Sequence, residues 1–214
     1  MGLFSKLSGG PDKGLLQNGL PGRGIITDVQ LTGTTIQTGN GLVQRTCIFT
    51  LEVSLDDKDP YKATCTQRIP EVQLPQIQPG GTTVAVRANP DNLEQVVIDF
   101  NTAPPVVTTA GPSDANHSAA AILASGKPAR AVIVESLPLG KRNQAGVDLY
   151  AFSLTVMPEQ GEPYQIQVGN PTPAKALPFL FPGSKVPVKV GTDPNSVVID
   201  WDQALEEEKA SGGK

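Results

Sequence analysis

The stretch "FTLEVSLDDKDPYKATC" at residues 49–65 decides the fold, because a related stretch, "FSLTVMPEQGEPYQIQV", follows at residues 152–168 and aligns with it without a gap. In both stretches apolar residues alternate with polar ones, and a Pro-Tyr pair follows a polar turn. A period of two is typical of a half-buried strand, and proline fixes one backbone angle of a turn. Each stretch therefore predicts two antiparallel strands joined by a hairpin.

The match extends in both directions, so the sequence predicts an internal duplication. Upstream, "LPGRGII" (20–26) aligns with "KPARAVI" (127–133). Downstream, "QVVIDF" (95–100) aligns with "SVVIDW" (196–201). The differences in length fall between the predicted strands, where turns tolerate insertions.

Each copy is predicted to contain five strands, and no segment within a copy indicates a helix. In the first copy the strands are expected near 22–31, 43–54, 61–68, 82–88 and 95–100. Short antiparallel strands leave open edges unless the sheet closes on itself. The predicted fold class is therefore all-β, with two tandem five-stranded antiparallel small barrels. The proline-rich stretch 69–81 is expected to be an extended crossover or a short turn.

The domain organisation follows from the two copies and the composition around them. We expect a flexible N-terminal tail, a first barrel, a Pro/Ala-rich linker, a second barrel and an acidic C-terminal tail. Their predicted bounds are 1–14, 15–100, 101–121, 122–201 and 202–214. The acidic tail is expected either to form one or two helical turns or to remain solvated.

Charge and hydropathy exclude several classes of protein. The net charge is -4 and the pI is near 5.0, so the chain has no broad cationic field for coating nucleic acid. No long apolar run or secretory signal is present, which favours a soluble cytoplasmic protein. Residues 1–7 contain Leu3, Phe4 and Leu7, which could touch a membrane peripherally, but a frayed terminus is the favoured interpretation.

The motifs of common enzymes and metal sites are missing from the sequence. The only histidine is His117, in the predicted linker, and no Cys-x-x-Cys pair occurs. We therefore predict no enzyme activity, no metal and no cofactor. Cys47 and Cys65 are predicted to be buried free thiols rather than a disulfide. The acidic turn "LDDKD" (55–59) is interpreted as a solvated hairpin tip rather than a calcium loop.

Asp99 and Asp200 recur at the end of the last strand of each copy. A catalytic pair would need both carboxylates in one pocket, whereas these two belong to different copies. An aspartate after three apolar residues at a strand end is typical of a turn cap that accepts backbone N–H bonds. The pair is therefore predicted to be structural.

Part of the sequence resembles a known group of proteins. The resemblance rests on "KPARAVI" (127–133), "PGSKVPVKV" (182–190) and "DPNSVVIDW" (193–201), with Asn89-Pro90 as the looser first-copy form of Asp193-Pro194. With these motifs the chain resembles uncharacterised actinobacterial tandem small β-barrel repeat proteins. The resemblance implies a fold and a module without an assigned reaction.

The two copies differ most in the strip "ALPFLFPG" (176–183). Phe179, Leu180 and Phe181 stand where the first copy has Gln76, Ile77 and Gln78. Apolar residues at positions that are polar in a sister copy indicate contact outside the copy's own core. The leading hypothesis is a non-catalytic interaction or scaffold module that contacts a protein partner, or itself, through these residues. The alternative is that they plug the end of the barrel.

A second hypothesis rests on two arginines at equivalent positions. Arg23 and Arg130 begin the first strand of each copy and could contact the phosphates of a single-stranded nucleic acid or another polyanion. Base stacking needs aromatic side chains, but only 5% of the residues are aromatic. Nucleic-acid binding is therefore the less favoured of the two functions.

Overall fold

The computed structural model of the protein describes residues 10–37, 39, 41–110 and 119–212. It divides into two compact units, Met1–Thr109 and Ala110–Lys214. Within the described residues, no helix is both long and apolar enough to cross a membrane. Each unit is described by itself below.

The first unit consists of a short helix, a five-stranded antiparallel sheet and a short strand after it. Its elements are α1 Lys13–Asn18, β1 Leu20–Gln37, β2 Val43–Leu55, β3 Tyr61–Pro70, a 3-10 helix Glu71–Gln76, β4 Thr83–Asn89, β5 Asn92–Asp99 and β6 Val107–Thr108. The strand order in the sheet is β3-β2-β1-β4-β5. The proline-rich crossover is thus a 3-10 helix, since its prolines cannot donate to a strand ladder.

The second unit repeats this plan and ends with a longer helix. Its elements are α2 Ala119–Ser125, β7 Lys127–Arg142, β8 Asp148–Pro158, β9 Tyr164–Pro171, a 3-10 helix Ala174–Phe179, β10 Lys185–Val190, β11 Val197–Ile199 and α3 Trp201–Gly212. The main path of its antiparallel sheet is β11-β10-β7-β8-β9, which is the order of the first unit. The two predicted antiparallel sheets and their common topology are therefore present.

The long first strand of each unit has a bulge at the same place. In β1 the register with β2 shifts at Thr27, and in β7 the register with β8 shifts at Val134. A bulge bends its strand and increases its twist. Before the bulge the strand pairs with the second strand on one side and with the fourth strand on the other, and after the bulge its ladder is with the second strand.

The core of each unit is formed by the inward side of the alternating strands. Phe49 and Phe152 are almost fully buried at the same position of the second strand. The aromatic residue after the last strand packs on each of them, with ring centroids 6.0 Å apart for Phe49–Phe100 and 5.9 Å apart for Phe152–Trp201. The "IDF" and "IDW" endings therefore supply an equivalent core contact to both units.

The prediction of closed barrels is wrong, because the backbone ladder does not run all the way round either sheet. β3 and β5 are the two edges of the first sheet, and they run in the same direction. The buried Gln67 side chain spans the gap, with Nε2 donating to the Ile98 carbonyl at 2.9 Å and Oε1 accepting from the Ile98 N–H at 3.0 Å. The backbone groups of Ile98 are thus satisfied by a side chain instead of a neighbouring strand.

Two short helices were not expected, and they precede the first strand of each unit. Both end in a close approach at glycine: a Cβ on Gly19 would lie 2.6 Å from the Leu15 carbonyl oxygen, and one on Gly126 would lie 2.5 Å from that of Ile122. Only glycine fits this space. With six and seven residues, α1 and α2 are too short to show a helical period in the sequence.

The segment predicted to be a linker contains ordered structure. Val107 is buried, the Thr108 N–H donates to Asp56 Oδ1 at 2.7 Å, and the Asp57 N–H donates to the Thr108 carbonyl at 3.0 Å. Part of the "LDDKD" turn is therefore held by β6. We expected the end of the predicted linker to be irregular, but it lies in α2. Its alanine-rich sequence has a high helix propensity.

The predicted acidic tail forms a longer helix than expected. α3 has 12 residues, and Asp200 Oδ1 accepts the Gln203 N–H at its start. Tertiary packing extends the helix, because Trp201 and Ala204 are buried in the core of the second unit. Asp99 performs the same capping task in the first unit, where it accepts from the Asn101 N–H and the Thr102 hydroxyl. The prediction that both aspartates accept backbone N–H bonds at the end of a strand is thus confirmed.

Candidate functional site: an apolar patch on the second unit

The three predicted interaction residues lie in different environments. Phe179 and Leu180 are half-buried against the core of the second unit, and the Phe179 ring centroid is 6.5 Å from that of Trp201. Phe181 is 69% exposed. The first two residues thus fill the end of the sheet, as one of the two interpretations of this strip expects, and only Phe181 is available at the surface.

The segment that carries Phe181 is held against β7 by three hydrogen bonds. The Ile133 N–H donates to the Ser184 carbonyl at 2.9 Å, and the Gly183 N–H donates to the Ile133 carbonyl at 2.7 Å. The Ser136 hydroxyl donates to the Leu180 carbonyl at 2.8 Å. These bonds hold residues 180–184 beside the bulge of β7, and Phe181 lies within this tethered segment.

Close in sequence to these hydrogen bonds, the second unit exposes further large apolar side chains. Two belong to the bulged part of β7 and one to the 3-10 helix that precedes Phe181. With Phe181 they form what we name the apolar patch, and the exposed fractions are 47% for Val134, 53% for Leu137, 45% for Leu177 and 69% for Phe181. A depression of about 200 Å³ beside Val134 is lined by the polar residues Ser153, Gln165 and Gln167 and by the apolar residues Leu154 and Ile166. Exposed apolar residues bordered by polar ones are typical of an interaction surface.

The first unit provides an internal comparison for the apolar patch. Strand register places Thr27 at the position of Val134 and Gln30 at the position of Leu137. The Pro-Gly turns of the two units align Gln78 with Phe181. All three first-unit residues are polar and exposed. Leu74, which aligns with Leu177, is half-buried against the core. Because both units share one fold, the apolar residues are not needed to form it.

The two arginines of the second hypothesis also differ. Arg130 makes a bidentate ion pair with Glu207 of α3, with N···O distances of 2.7 and 3.1 Å. These hydrogen bonds lower the pKa of the Glu207 carboxyl. Arg23 is half-buried, and burial lowers the pKa of its guanidinium. Arg130 is therefore exposed but already paired with a carboxylate, whereas Arg23 is half-buried in its own unit.

Other candidate chemistry is limited in the part of the chain that the structure describes. No group of three or more His, Cys, Asp or Glu side chains there is arranged to hold a metal ion. Cys47 and Cys65 are both buried and free, which confirms the favoured prediction for the thiols. Burial raises the pKa of Cys65 to about 12, so this thiol is a poor nucleophile. His117, Leu3, Phe4 and Leu7 lie outside the described residues.

Three members of the apolar patch were missed by sequence reasoning. Leu177 aligns with another leucine, and Val134 and Leu137 follow the matched motif "KPARAVI" directly. Continuing the alignment at the same offset would have shown Thr27 opposite Val134 and Gln30 opposite Leu137. The bulge hides this signal, because it interrupts the alternation that marks which residues face outward.

Comparison with known proteins identified no relative of this chain. No family model, curated protein or solved structure matches this chain. The resemblance to actinobacterial repeat proteins therefore stays a prediction, and the proposals below depend on the two units themselves.

Proposed function

We propose that this protein is a non-catalytic interaction module in which the second unit docks a protein partner through the apolar patch. The observation that carries this proposal is the 69% exposure of Phe181 at a position where the first unit has an exposed glutamine. An exposed aromatic side chain gains free energy when a partner covers it, and aromatic anchors dominate many interfaces. The partner is another protein or a second copy of this chain.

The fold supports a binding role more than a reaction. Five strands in this order, with a long bulged first strand and a helical crossover between the third and fourth strands, correspond to a partly open barrel of the oligonucleotide-binding type. Such barrels serve as scaffolds for many ligands, so the fold alone does not name one. We propose that duplication supplied two such scaffolds, of which the second acquired the apolar patch.

Polyanion binding through Arg23 and Arg130 remains the second candidate and has less support. A phosphate would have to displace the Glu207 carboxylate from Arg130, and Arg23 is half-buried. If the arginines form such a site, the protein is retained on heparin at low salt and Arg23→Ala plus Arg130→Ala abolishes the retention. Absence of retention at low salt would exclude this function.

Site-specific photo-crosslinking tests the docking function in the native setting. One version of the full chain carries p-benzoylphenylalanine in place of Phe181, and the matched control carries it in place of Gln78. Both positions are exposed and follow a 3-10 helix, so the label is presented in the same way. Equal unfolding temperatures of the two versions would show that the label does not disturb either unit.

The expected result is one or a few defined crosslinked bands from position 181 and none from position 78. Bands of the mass of a homodimer would identify a second copy as the partner, and bands of other masses would identify another protein. Equal patterns from both positions, or no crosslink from position 181, would contradict the proposed function.

A further inference from the structure

The chain segments that build the apolar patch carry more positive than negative charge. These segments are residues 132–137 of β7 and residues 174–185 with the second 3-10 helix and the Pro-Gly turn. They contain two lysines, Lys175 and Lys185, and one acidic residue, Glu135. The whole chain has a net charge of -4, so this local excess runs against the overall composition.

Both lysines are available to a partner. Lys185 lies beside Val132 in the β10–β7 ladder, directly after the turn that presents Phe181. Lys175 lies in the 3-10 helix, two residues before Leu177. Both are exposed, and neither side-chain ammonium group forms an ion pair or hydrogen bond with any residue in the described ranges. Glu135 is also exposed, so it is the one charge in these segments that opposes an acidic partner.

The equivalent segments of the first unit have the opposite charge. Residues 25–30 and 71–83 contain Asp28 and Glu71 and no lysine or arginine. Strand register and the repeat alignment place Val72 opposite Lys175 and Thr83 opposite Lys185. In these segments the second unit exposes four large apolar side chains, and the first unit exposes one, Val72 at 64%. The second unit also has two lysines there, whereas the first has Asp28 and a Glu71 that is paired with Arg45.

We infer that the apolar patch binds a short segment of another protein in which two or more large apolar side chains are flanked by aspartate or glutamate. This inference rests on the proposed function and names the chemistry of its partner. The apolar side chains cover Phe181 and its neighbours, while the acidic flanks face Lys175 and Lys185. Complementary charge at the rim of an interface steers association, and buried apolar anchors determine how long the complex lasts.

The two parts of the site are expected to have different kinetic signatures. Phe181→Ser should weaken the affinity about tenfold or more, mainly through faster dissociation. Lys175→Glu plus Lys185→Glu should slow association and remove its dependence on salt between about 0.1 M and 1 M ionic strength. Lys58→Glu plus Lys62→Glu in the first unit makes the same change in total charge and should leave both rates unchanged, because these exposed lysines belong to the other unit.

A displayed library of short random peptides tests the inference directly. The immobilised full chain selects peptides after the library has been depleted on the Phe181→Ser variant, so that only sequences that need Phe181 are retained. The expected outcome is enrichment of peptides that combine leucine, isoleucine, phenylalanine or tryptophan with neighbouring aspartate or glutamate. The association rates of the enriched peptides with the two double lysine variants then measure how much Lys175 and Lys185 contribute to binding.

The possible results distinguish failure of this inference from failure of the proposed docking function. Enriched apolar peptides with neutral or basic flanks would overturn the acidic inference and leave the docking function standing. No enrichment over the Phe181→Ser variant would overturn both. Equal slowing of association by the Lys58/Lys62 and Lys175/Lys185 variants would also overturn the inference, because the effect would then come from net charge alone.

Discussion

The side-chain amide of Gln67 forms hydrogen bonds with both backbone polar groups of Ile98. The second unit repeats this arrangement with a shorter amide: Asn170 Oδ1 accepts from the Ile199 N–H at 3.1 Å, and its Nδ2 donates to the Val197 carbonyl at 3.3 Å. Gln67 and Asn170 occupy equivalent positions in the repeat and are both buried. The amide bridge is therefore a common device that joins the two edges of each open sheet.

Removing the amide of Gln67 should destabilise the first unit. Gln67→Leu keeps an apolar volume in the core but leaves the N–H and C=O of Ile98 without partners, which costs about 2–4 kcal/mol. Denaturant unfolding measures the change. Thr64→Leu, at an exposed position of the same strand, is the control and should change the free energy of unfolding by less than about 0.5 kcal/mol. An unchanged stability of Gln67→Leu would show that the bridge is dispensable.

Replacement of Phe179 and Phe181 should separate core packing from surface exposure. Phe179→Ala removes a half-buried ring that contacts Trp201 and should cost about 2 kcal/mol or more. Phe181→Ser should alter the stability by less than about 0.5 kcal/mol, because that side chain is exposed. Thermal and denaturant unfolding of both variants checks this difference. A large loss of stability for Phe181→Ser would mean that Phe181 belongs to the core of the folded protein.

The ion pair between Arg130 and Glu207 should make α3 sensitive to acid. Hydrogen bonds from Arg130 lower the pKa of Glu207 below its ordinary value of 4.5. The carboxylate therefore stabilises the fold above pH 4.5, and this contribution is lost as the pH falls through the lowered pKa. Both side chains are about half exposed, so the effect is small.

Trp201 provides a clean signal for this titration, because it is the only tryptophan and lies at the start of α3. Denaturant unfolding followed by Trp201 fluorescence gives the free energy of unfolding at neutral pH and near pH 3. The decrease in this free energy between the two pH values should be smaller for Glu207→Gln than for the wild type. Glu206→Gln, an exposed neighbour in the same helix, should behave like the wild type. Identical losses in all three proteins would exclude a contribution from the ion pair.

The two cysteines should be inert in the folded protein. Cys47 and Cys65 are buried, and burial raises the pKa of both thiols, to about 12 for Cys65. A thiol-specific reagent at pH 8 should therefore label neither residue in the native chain and both residues in denaturant. Rapid labelling of one thiol per native chain would show that the first unit opens locally.

Strand positions could be predicted from the sequence because burial alternates along them. Leu51 and Val53 are fully buried in a strand that was assigned from this alternation. Closure was predicted wrongly, because a glutamine within a strand indicates an exposed position, whereas the buried Gln67 bridges the two edges of an open sheet. The short helices were missed for a different reason: their position depends on the close approach at Gly19 and Gly126, which only the folded chain shows.

The candidate site was predictable in part. Phe181 was identified by comparing the copies, whereas Phe179 and Leu180 turned out to be half-buried. Which residues of "PFLF" face the core depends on the path of the 3-10 helix and on the Ser136–Leu180 hydrogen bond. The first unit has Val29 at the position of Ser136, so comparison of the two copies could not predict this hydrogen bond.

The most direct test of the central claim, that the second unit alone carries the docking surface, is a calorimetric titration with a peptide enriched by the library selection. Three full-length proteins are compared: the wild type, Phe181→Ser and Gln78→Ser. Binding should weaken about tenfold or more for Phe181→Ser and stay unchanged for Gln78→Ser. Equal affinities of all three proteins, or equal weakening of both variants, would contradict the claim.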